Sequence, residues 1–397
     1  MRRLFRLAPN VFFLGLVSMF NDFSAEMVVA VLPAFLTITL GAPAIFLGVM
    51  EGTADVFSSF WRVVSGWFSD RIGKRKGPAM AGYSISVLAR SFLIFVSTLW
   101  GVFFVRLFDR LGKGSREAPR DALLAESVSP HDVGRSFGYQ RAMDMMGGVF
   151  GPFLALALLS LTDGNYRVVF FASFLIGILA VASFSFVREV RKPRQKRKST
   201  PRPLSFSMKG FPRYFQAFVV SVFIFGLGAM PLSLILLKTR DIGSLTIYVP
   251  LMYFVYNASS AFFAVPFGRL ADKFGKRKVI ALGFCAAILS YVVFALFSNI
   301  LAIYLGFILF GLYSAMTDGV ERAKISRLVS YHVLAQGEGF LTASWGISSL
   351  LAGFVGGAIW TFIGPSAAFF YGATMMTLGL ILFVLLNGFS NRHASYT

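Results

Sequence analysis

The sequence predicts an all-α integral membrane protein whose twelve transmembrane helices form two pseudo-symmetric six-helix bundles. Three observations predict it. The 397 residues are 56% hydrophobic, with 46 Phe, and only 14% are charged. An average soluble domain carries about 25% charged residues, so this chain lacks the polar residues to cover a soluble core, and an apolar surface facing lipid is the simpler reading. Apolar runs of spanning length recur twelve times. The second half of the chain also repeats the first.

The runs fall near 11–36, 44–66, 78–98, 100–124, 136–160 and 167–187, then 214–237, 246–268, 278–297, 300–322, 338–360 and 366–388. Each meets the roughly 20 mostly apolar residues that a spanning helix needs. The fourth and tenth are the least regular, because their second halves are polar. The opening MRRLFRLAPN resembles a signal peptide, but the apolar stretch runs on past Asn21 and Asp22 with no small-residue cleavage site. It reads as the first span.

Loop charge sets the orientation. The turns STLWG (97–101), FSNI (297–300) and FIGPSA (362–367) carry no charge. They alternate with DRIGKRK (70–76), DKFGKRK (272–278) and REVRKPRQKRKSTPR (188–202), the last holding eight bases and one acid. The positive-inside rule then places the basic loops and both termini in the cytoplasm of a plasma (inner) membrane protein. Most of the bases behind the net charge of +20 sit in short clusters between apolar runs, which argues against nucleic acid as a partner. The division expected is an N-terminal bundle over 1–190, a basic cytoplasmic linker over 191–213 and a C-terminal bundle over 214–397. The single cysteine, Cys285, says nothing about redox compartment.

GWFSDRIGKRKGP (66–78) returns as GRLADKFGKRKVI (268–280), an offset of 202 residues. GRSFGYQRAMDMMGGVFGP (134–152) aligns, one residue out of phase, with GEGFLTASWGISSLLAGFVGG (337–357). Parallel repeats with a site at their interface are a transporter architecture. The pattern G-x-x-x-D-(R/K)-x-G-(K/R)-(K/R) between spans two and three, and its copy between spans eight and nine, resembles motif A of the major facilitator superfamily. It stands as Gly66, Asp70, Arg71, Gly73, Lys74, Arg75, and again as Gly268, Asp272, Lys273, Gly275, Lys276, Arg277. The resemblance covers essentially the whole chain in helix count, repeat, linker and motif positions. It implies a gate at the cytoplasmic face. Gly66 permits close helix approach, and Gly73 can take the positive φ of a tight turn. Asp70 is expected to meet the start of span eleven, near Gly337, as an anion at a helix N-terminus. Arg71 and Arg75 are expected to pair with Asp121 or Glu126. The bland alternative is a topology signal, which explains the bases but not Asp70 or the glycines.

Charge inside a bilayer costs about 2.5–3.5 kcal/mol or more at a helix centre. The first half nevertheless holds Asp22, Glu26, Glu51, Asp55, Arg62, Arg106, Asp109, Arg110, Arg141 and Asp144 within its spans. Asp22 and Glu26 share a helix face, and neighbouring carboxylates disfavour double ionisation, as proton coupling requires. The alternative is a static network in which Asp22, Glu26, Glu51 and Asp55 neutralise Arg106, Arg110 and Arg141. Arg110, Lys113 and Gly114 partly resemble the family's motif B, whose Arg is associated with proton transfer. The excess of bases around 110–126 would either line a watery inner vestibule or bind an anionic group. Gly138, Gly147, Gly151 and Pro152 resemble motif C, which in the family marks proton-coupled antiporters, although Ala155 and Leu156 replace its last glycines. The alternative is ordinary close packing.

The second half offers Met230, Tyr253, Tyr256, Asn257, Tyr313 and Trp345 as cavity candidates, each with core packing or lipid contact as the plainer reading. This aromatic wall would suit an amphipathic or drug-like substrate. Asp318, Glu321, Arg322 and Lys324 read as lying at or beyond the inner end of span ten. No nucleotide-binding loop, metal spacing or nucleophile–His–acid grouping stands out, so neither enzyme activity nor a metal or other cofactor is expected. The function expected is secondary active transport by alternating access. It would be efflux of a small organic solute coupled to protons, or to Na⁺, by a monomer in the lipid bilayer. A symporter bringing in a nutrient or metal chelate, and a non-transporting sensor or scaffold, are the alternatives.

Overall fold

The computed structural model describes residues 8–129, 131–190, 208–243, 245–329 and 334–388, and among them are thirteen α-helices. They are α1 (Pro9–Ala34), α2 (Ala44–Ile72), α3 (Lys76–Phe92), α4 (Leu99–Glu126), α5 (Val133–Leu161) and α6 (Tyr166–Ser185) in the first half. The second half has α7 (Arg213–Gly226), the short α8 (Leu232–Leu236), α9 (Leu245–Phe274), α10 (Lys276–Leu296), α11 (Ile300–Leu328), α12 (Leu334–Phe362) and α13 (Pro365–Gly388). Most of the expected linker, 191–207, lies outside the described residues.

The helices begin and end where side chains satisfy the free backbone groups. Thr98, Asn165 and Asn299 accept from the first-turn amides of α4, α6 and α11. Gly73 closes α2 at φ 70°, and Gly275 joins α9 to α10 at φ 95°, the left-handed conformation expected for Gly73. The polar second halves of α4 and α11 stay helical to Glu126 and Leu328.

The seventh crossing is not the single helix expected over 214–237. It breaks between Gly226 and Leu232 and resumes as α8 and a 3₁₀ segment, Leu237–Ile242. Pro231 removes a donor and its ring opposes the preceding turn. Gly228 lies so close to α13 that a Cβ would sit 2.3 Å from the Gly372 carbonyl. The freed amide of Met230 donates to the Tyr291 hydroxyl at 2.9 Å, as backbone at membrane depth requires.

Packing repeats between the halves. In the first, α1 packs on α5 and α6, α2 on α4, and α3 on α4 and α6. In the second, α7 packs on α12 and α13, α9 on α11, and α10 on α11 and α13. The same helix pairs are used in the same order. The halves meet through α2 against α12 and α5 against α9, again a symmetric choice. Eight spans among the described residues are long and apolar enough to cross a membrane by composition. α2 and α4 are not among them, because the charged residues named above lower their hydropathy.

Asn10 and Val384 lie beside the polar ends of neighbouring helices on the basic face. Asn10 bonds Ser127 Oγ at 3.0 Å and the Arg188 carbonyl at 2.8 Å, while Arg277 donates to the Val384 carbonyl at 2.7 Å. Toward the opposite face the halves touch backbone to backbone. Gly48 meets Gly353, Gly52 meets Leu350, and Gly357 meets Ile45. The Ile45 amide donates to Thr361 at 3.1 Å, and Tyr166 and Thr246 hydroxyls lie 3.0 Å apart. Nearer the basic face, a Cβ on Gly66 or Gly337 would meet its nearest described neighbours within its own half.

Candidate functional site

A cavity of about 150 Å³ lies where α1 and α5 face α9 and α11. The first half supplies Asp22, Glu26, Arg141 and Asp144; the second supplies Tyr256, Asn257, Ser260, Ser314 and Asp318. Asp22 and Glu26 sit one helical turn apart, as their spacing requires. The glycines of α5 bring that helix against them. A Cβ on Gly147 would meet Met19 O at 2.5 Å and Asp22 Cβ at 3.1 Å; one on Gly151 would meet Glu26 Cβ and Phe23 O at 2.8 Å. Pro152 is buried in the unbroken α5, and a Cβ on Gly138 would meet nothing within 4 Å.

Polar contacts cross the cavity. Tyr253 of α9 donates a hydrogen bond to Glu26. Arg141 lies 3.9 Å from Asp318. Ser260 donates to Ser314 at 3.1 Å, and Ser314 to Asp318 at 2.8 Å. Asp22 accepts from Asn21 at 3.0 Å.

A second set of charges is buried in the first half. Arg106 grips both Glu51 oxygens at 2.8 and 3.0 Å and reaches Asp109 at 3.1 Å. Arg110 bridges Glu51 at 3.2 Å and Asp55 at 3.5 Å. Arg90 lies 3.6 Å from Asp109 and donates to the Asn21 side chain at 2.9 Å. At the other end, Ser349 of α12 donates to Asp55 at 3.2 Å. The charges expected to act together therefore divide in two. Glu51, Asp55, Arg106, Asp109 and Arg110 form an ion-paired chain, while Asp22, Glu26, Arg141 and Asp144 line the cavity. Arg90, only 1% exposed, is a member that sequence reasoning missed. Its signal was one base inside the apolar third span.

The gate contact expected for Asp70 is not made. Asp70 is 71% exposed and pairs with Arg75 at 2.6 Å, while Gly337 lies against Val329, Ile325 and Phe215. Among the described residues the close backbone contacts between the halves lie toward the opposite face, at Gly48, Gly52 and Gly357. Arg75 does reach Glu126 at 3.4 Å. Arg71 instead lies 5.3 Å from the Trp67 ring centroid, and Asp121 pairs with Arg120 at 2.9 Å. The backbone amides of Arg75 and Lys76 donate to the two Glu189 oxygens at 2.8 and 2.9 Å, so Glu189 caps α3. Glu189→Ala is expected to cost about 1 kcal/mol. The check is hydrogen exchange at amides 75 and 76, which should speed up; unchanged protection would count against the cap. In the second copy, Gly268 has no close neighbour, Asp272 and Lys273 are exposed, and Arg277 ties α10 to α13.

The expected aromatic wall is corrected as well. Tyr256 and Asn257 line the cavity and Tyr253 reaches its Glu26, but Met230, Tyr313 and Trp345 are used elsewhere. Met230 is buried in the break of the seventh crossing. Tyr313 packs on Phe310 and Phe225 at 5.4 and 5.7 Å, and Trp345 donates to Glu321 at 3.1 Å. The second-half wall is polar, and Asp318, expected at or beyond the inner end of its span, is part of it. α11 runs on to Leu328, so Asp318 lies further inside the helix than the end of its apolar run suggests.

The profile of the Major Facilitator Superfamily matches residues 14–253 and 217–394. The chain belongs to the major facilitator superfamily. It is a membrane transporter of that family and not an enzyme. It is 30% identical over 386 residues, 95% of either chain, to an uncharacterised MFS-type transporter of Methanocaldococcus jannaschii. It is 24% identical over 326 residues to the multi-drug resistance efflux pump PmrA of Streptococcus pneumoniae, covering 78% of this chain and 81% of the pump. Among solved structures, a D323A mutant of the nucleoside transporter NupG superposes with a TM-score of 0.80 at 14% identity, over 95% of this chain and 99% of that one. At that identity the likeness speaks for the fold alone.

Proposed function

We propose that this transporter exports a small organic solute in exchange for protons, by alternating access. Residues 1–190 and 214–397 act as the two rocking bundles, joined by a cytoplasmic linker over 191–213, with both termini in the cytoplasm of the plasma membrane. The observation that carries the reading is Glu26, a carboxylate of the first half that lines the shared cavity and accepts from Tyr253 of the second. A charge change there alters a contact between the bundles, which is what coupling needs. Asp22 and Asp144 line the same cavity and supply further proton acceptors. The ion-paired chain from Arg90 to Asp55 is a strut: its acids already have bases. The likeness to PmrA, a drug efflux pump, supports export of an organic solute.

The test is transport in proteoliposomes under an imposed pH gradient, with radiolabelled organic solutes screened for uphill movement. Glu26→Gln is expected to abolish gradient-driven accumulation, a loss of roughly a hundredfold, while solute-for-solute exchange continues. If accumulation follows a Na⁺ gradient and ignores pH, the proton reading fails. Equal accumulation by parent and Glu26→Gln would remove Glu26 from coupling.

A further inference from the structure

We infer that the solute is a small organic amine, bound as its cation and carrying a hydrogen-bond acceptor, held between Asp144 of the first half and Asn257 of the second. The inference rests on the transport reading above and names the substrate class for the same cavity.

The charge of the lining comes first. Of the lining residues four are acids, Asp22, Glu26, Asp144 and Asp318, and one is a base, Arg141; Lys113 lies behind Asp22 and Glu26, and Arg120 behind Asp144. An anion entering this space meets an excess of carboxylates, whereas a cation is drawn in.

The second observation is which polar atoms are already satisfied. Asp22 has the Asn21 amide, Glu26 has the Tyr253 hydroxyl, and Asp318 has Ser314 and Arg141. Asp144 has Ser18, Arg120 and Arg141 beside it, and Asn257 has Tyr253, yet Asp144 Oδ1 and Asn257 Nδ2 are themselves buried with no partner at full hydrogen-bonding geometry. Both residues line the cavity. They sit on the helices that meet across it: a Cβ on Gly148, four residues along α5 from Asp144, would lie 4.0 Å from Asn257 Oδ1. Buried polar atoms are almost always paired, and each unpaired one calls for a ligand group of the complementary kind. A carboxylate oxygen accepts only, so its partner is a donor, best supplied by an ammonium. An amide nitrogen donates only, so its partner is a hydroxyl, carbonyl or ether oxygen. One solute carrying both groups would join α5 to α9. A purely apolar solute would leave both atoms orphaned.

Equilibrium binding to the purified full chain in detergent, at neutral pH and without any gradient, tests this. Three probes share one skeleton: tyramine, with an ammonium and a hydroxyl; phenethylamine, with the ammonium alone; and phenylacetate, an anion. Tyramine is expected to bind best, phenethylamine roughly fivefold more weakly, and phenylacetate at least tenfold more weakly than either. Asp144→Asn should weaken tyramine roughly tenfold or more, and Asp144→Glu, which keeps the charge, should recover part of that loss. Asn257→Leu should close the gap between tyramine and phenethylamine, a change in ratio that misfolding would not mimic. Phenylacetate binding as tightly as the amines, no binding by any probe, or unchanged tyramine affinity in Asp144→Asn would overturn the proposal. Because no gradient is applied, such a failure leaves proton coupling untouched. Loss of coupling with amine binding intact would fail the transport reading alone.

Discussion

Arg106→Ala is expected to destabilise the folded protein by about 3–5 kcal/mol, the range for removing one partner from a buried ion pair. Arg106 is 5% exposed and makes bonds to both Glu51 oxygens and to Asp109. Removing it leaves two carboxylates inside the first half with Arg110 and Arg90 as the remaining ion-pair partners, the latter at 3.6 Å from Asp109. Those two bases are themselves committed, Arg110 to Asp55 and Arg90 to Asn21. The loss is thus electrostatic first and a lost packing volume second. Reversible unfolding in mixed micelles, followed by tryptophan fluorescence, measures it. The double variant Glu51→Gln, Arg106→Gln separates the causes, because it removes the unpaired acid along with the base and should recover a large part of the loss. If Arg106→Ala unfolds at the parent's midpoint, the ion-paired chain is no strut, and its acids return to candidacy for coupling.

That chain marks where sequence reading ends. Twelve crossings and two like halves were legible, because lipid and helix length impose a period that no other constraint disturbs. Gly73 was legible because a glycine between a helix end and a run of bases has few other uses. Gly147 and Gly151 showed as a spacing, but the helix they admit, α1 at Asp22 and Glu26, follows only from how α5 packs. Arg90 passed unremarked because a single charge in an apolar run does not announce a partner. Its partners sit on α1 and α4. Asp318 was placed too far toward the end of its helix, since an apolar run gives where hydrophobicity ends and not where the helix does. Tyr253 bonding Glu26 depends on docking one half against the other, and no local pattern encodes that. The Asp70 contact failed for a related reason: a motif can name a gate residue, but a given arrangement of the halves decides whether the contact exists.

The seam away from the basic face gives the other large expected effect. Gly48→Leu should prevent the halves from closing there. A Cβ at Gly48 would fall 2.0 Å from the Gly353 carbonyl oxygen, and one at Gly353 would fall 2.3 Å from the Gly48 oxygen. Both obstacles are backbone, so no rotamer change relieves them. Overpacking at a tight contact costs about 3 kcal/mol, which is roughly a hundredfold in the balance between two arrangements. Gly48 meets its crowding neighbour across the seam, so separation of the halves relieves the strain and the bundles themselves keep their packing. The expected outcome is a folded protein with its thermal midpoint nearly unchanged and its transport lost. Spin labels at Ile38→Cys and Phe362→Cys, both exposed positions near this face, report it when Cys285 is replaced by Ser. Their separation should lengthen in Gly48→Leu. Gly134→Ala, which has no neighbour within 4 Å, is the matched control and should leave the distance alone. An unchanged distance in Gly48→Leu would mean that the glycine contact does not limit closure, and that the arrangement of the halves is held by other contacts such as Tyr253 with Glu26 and Tyr166 with Thr246.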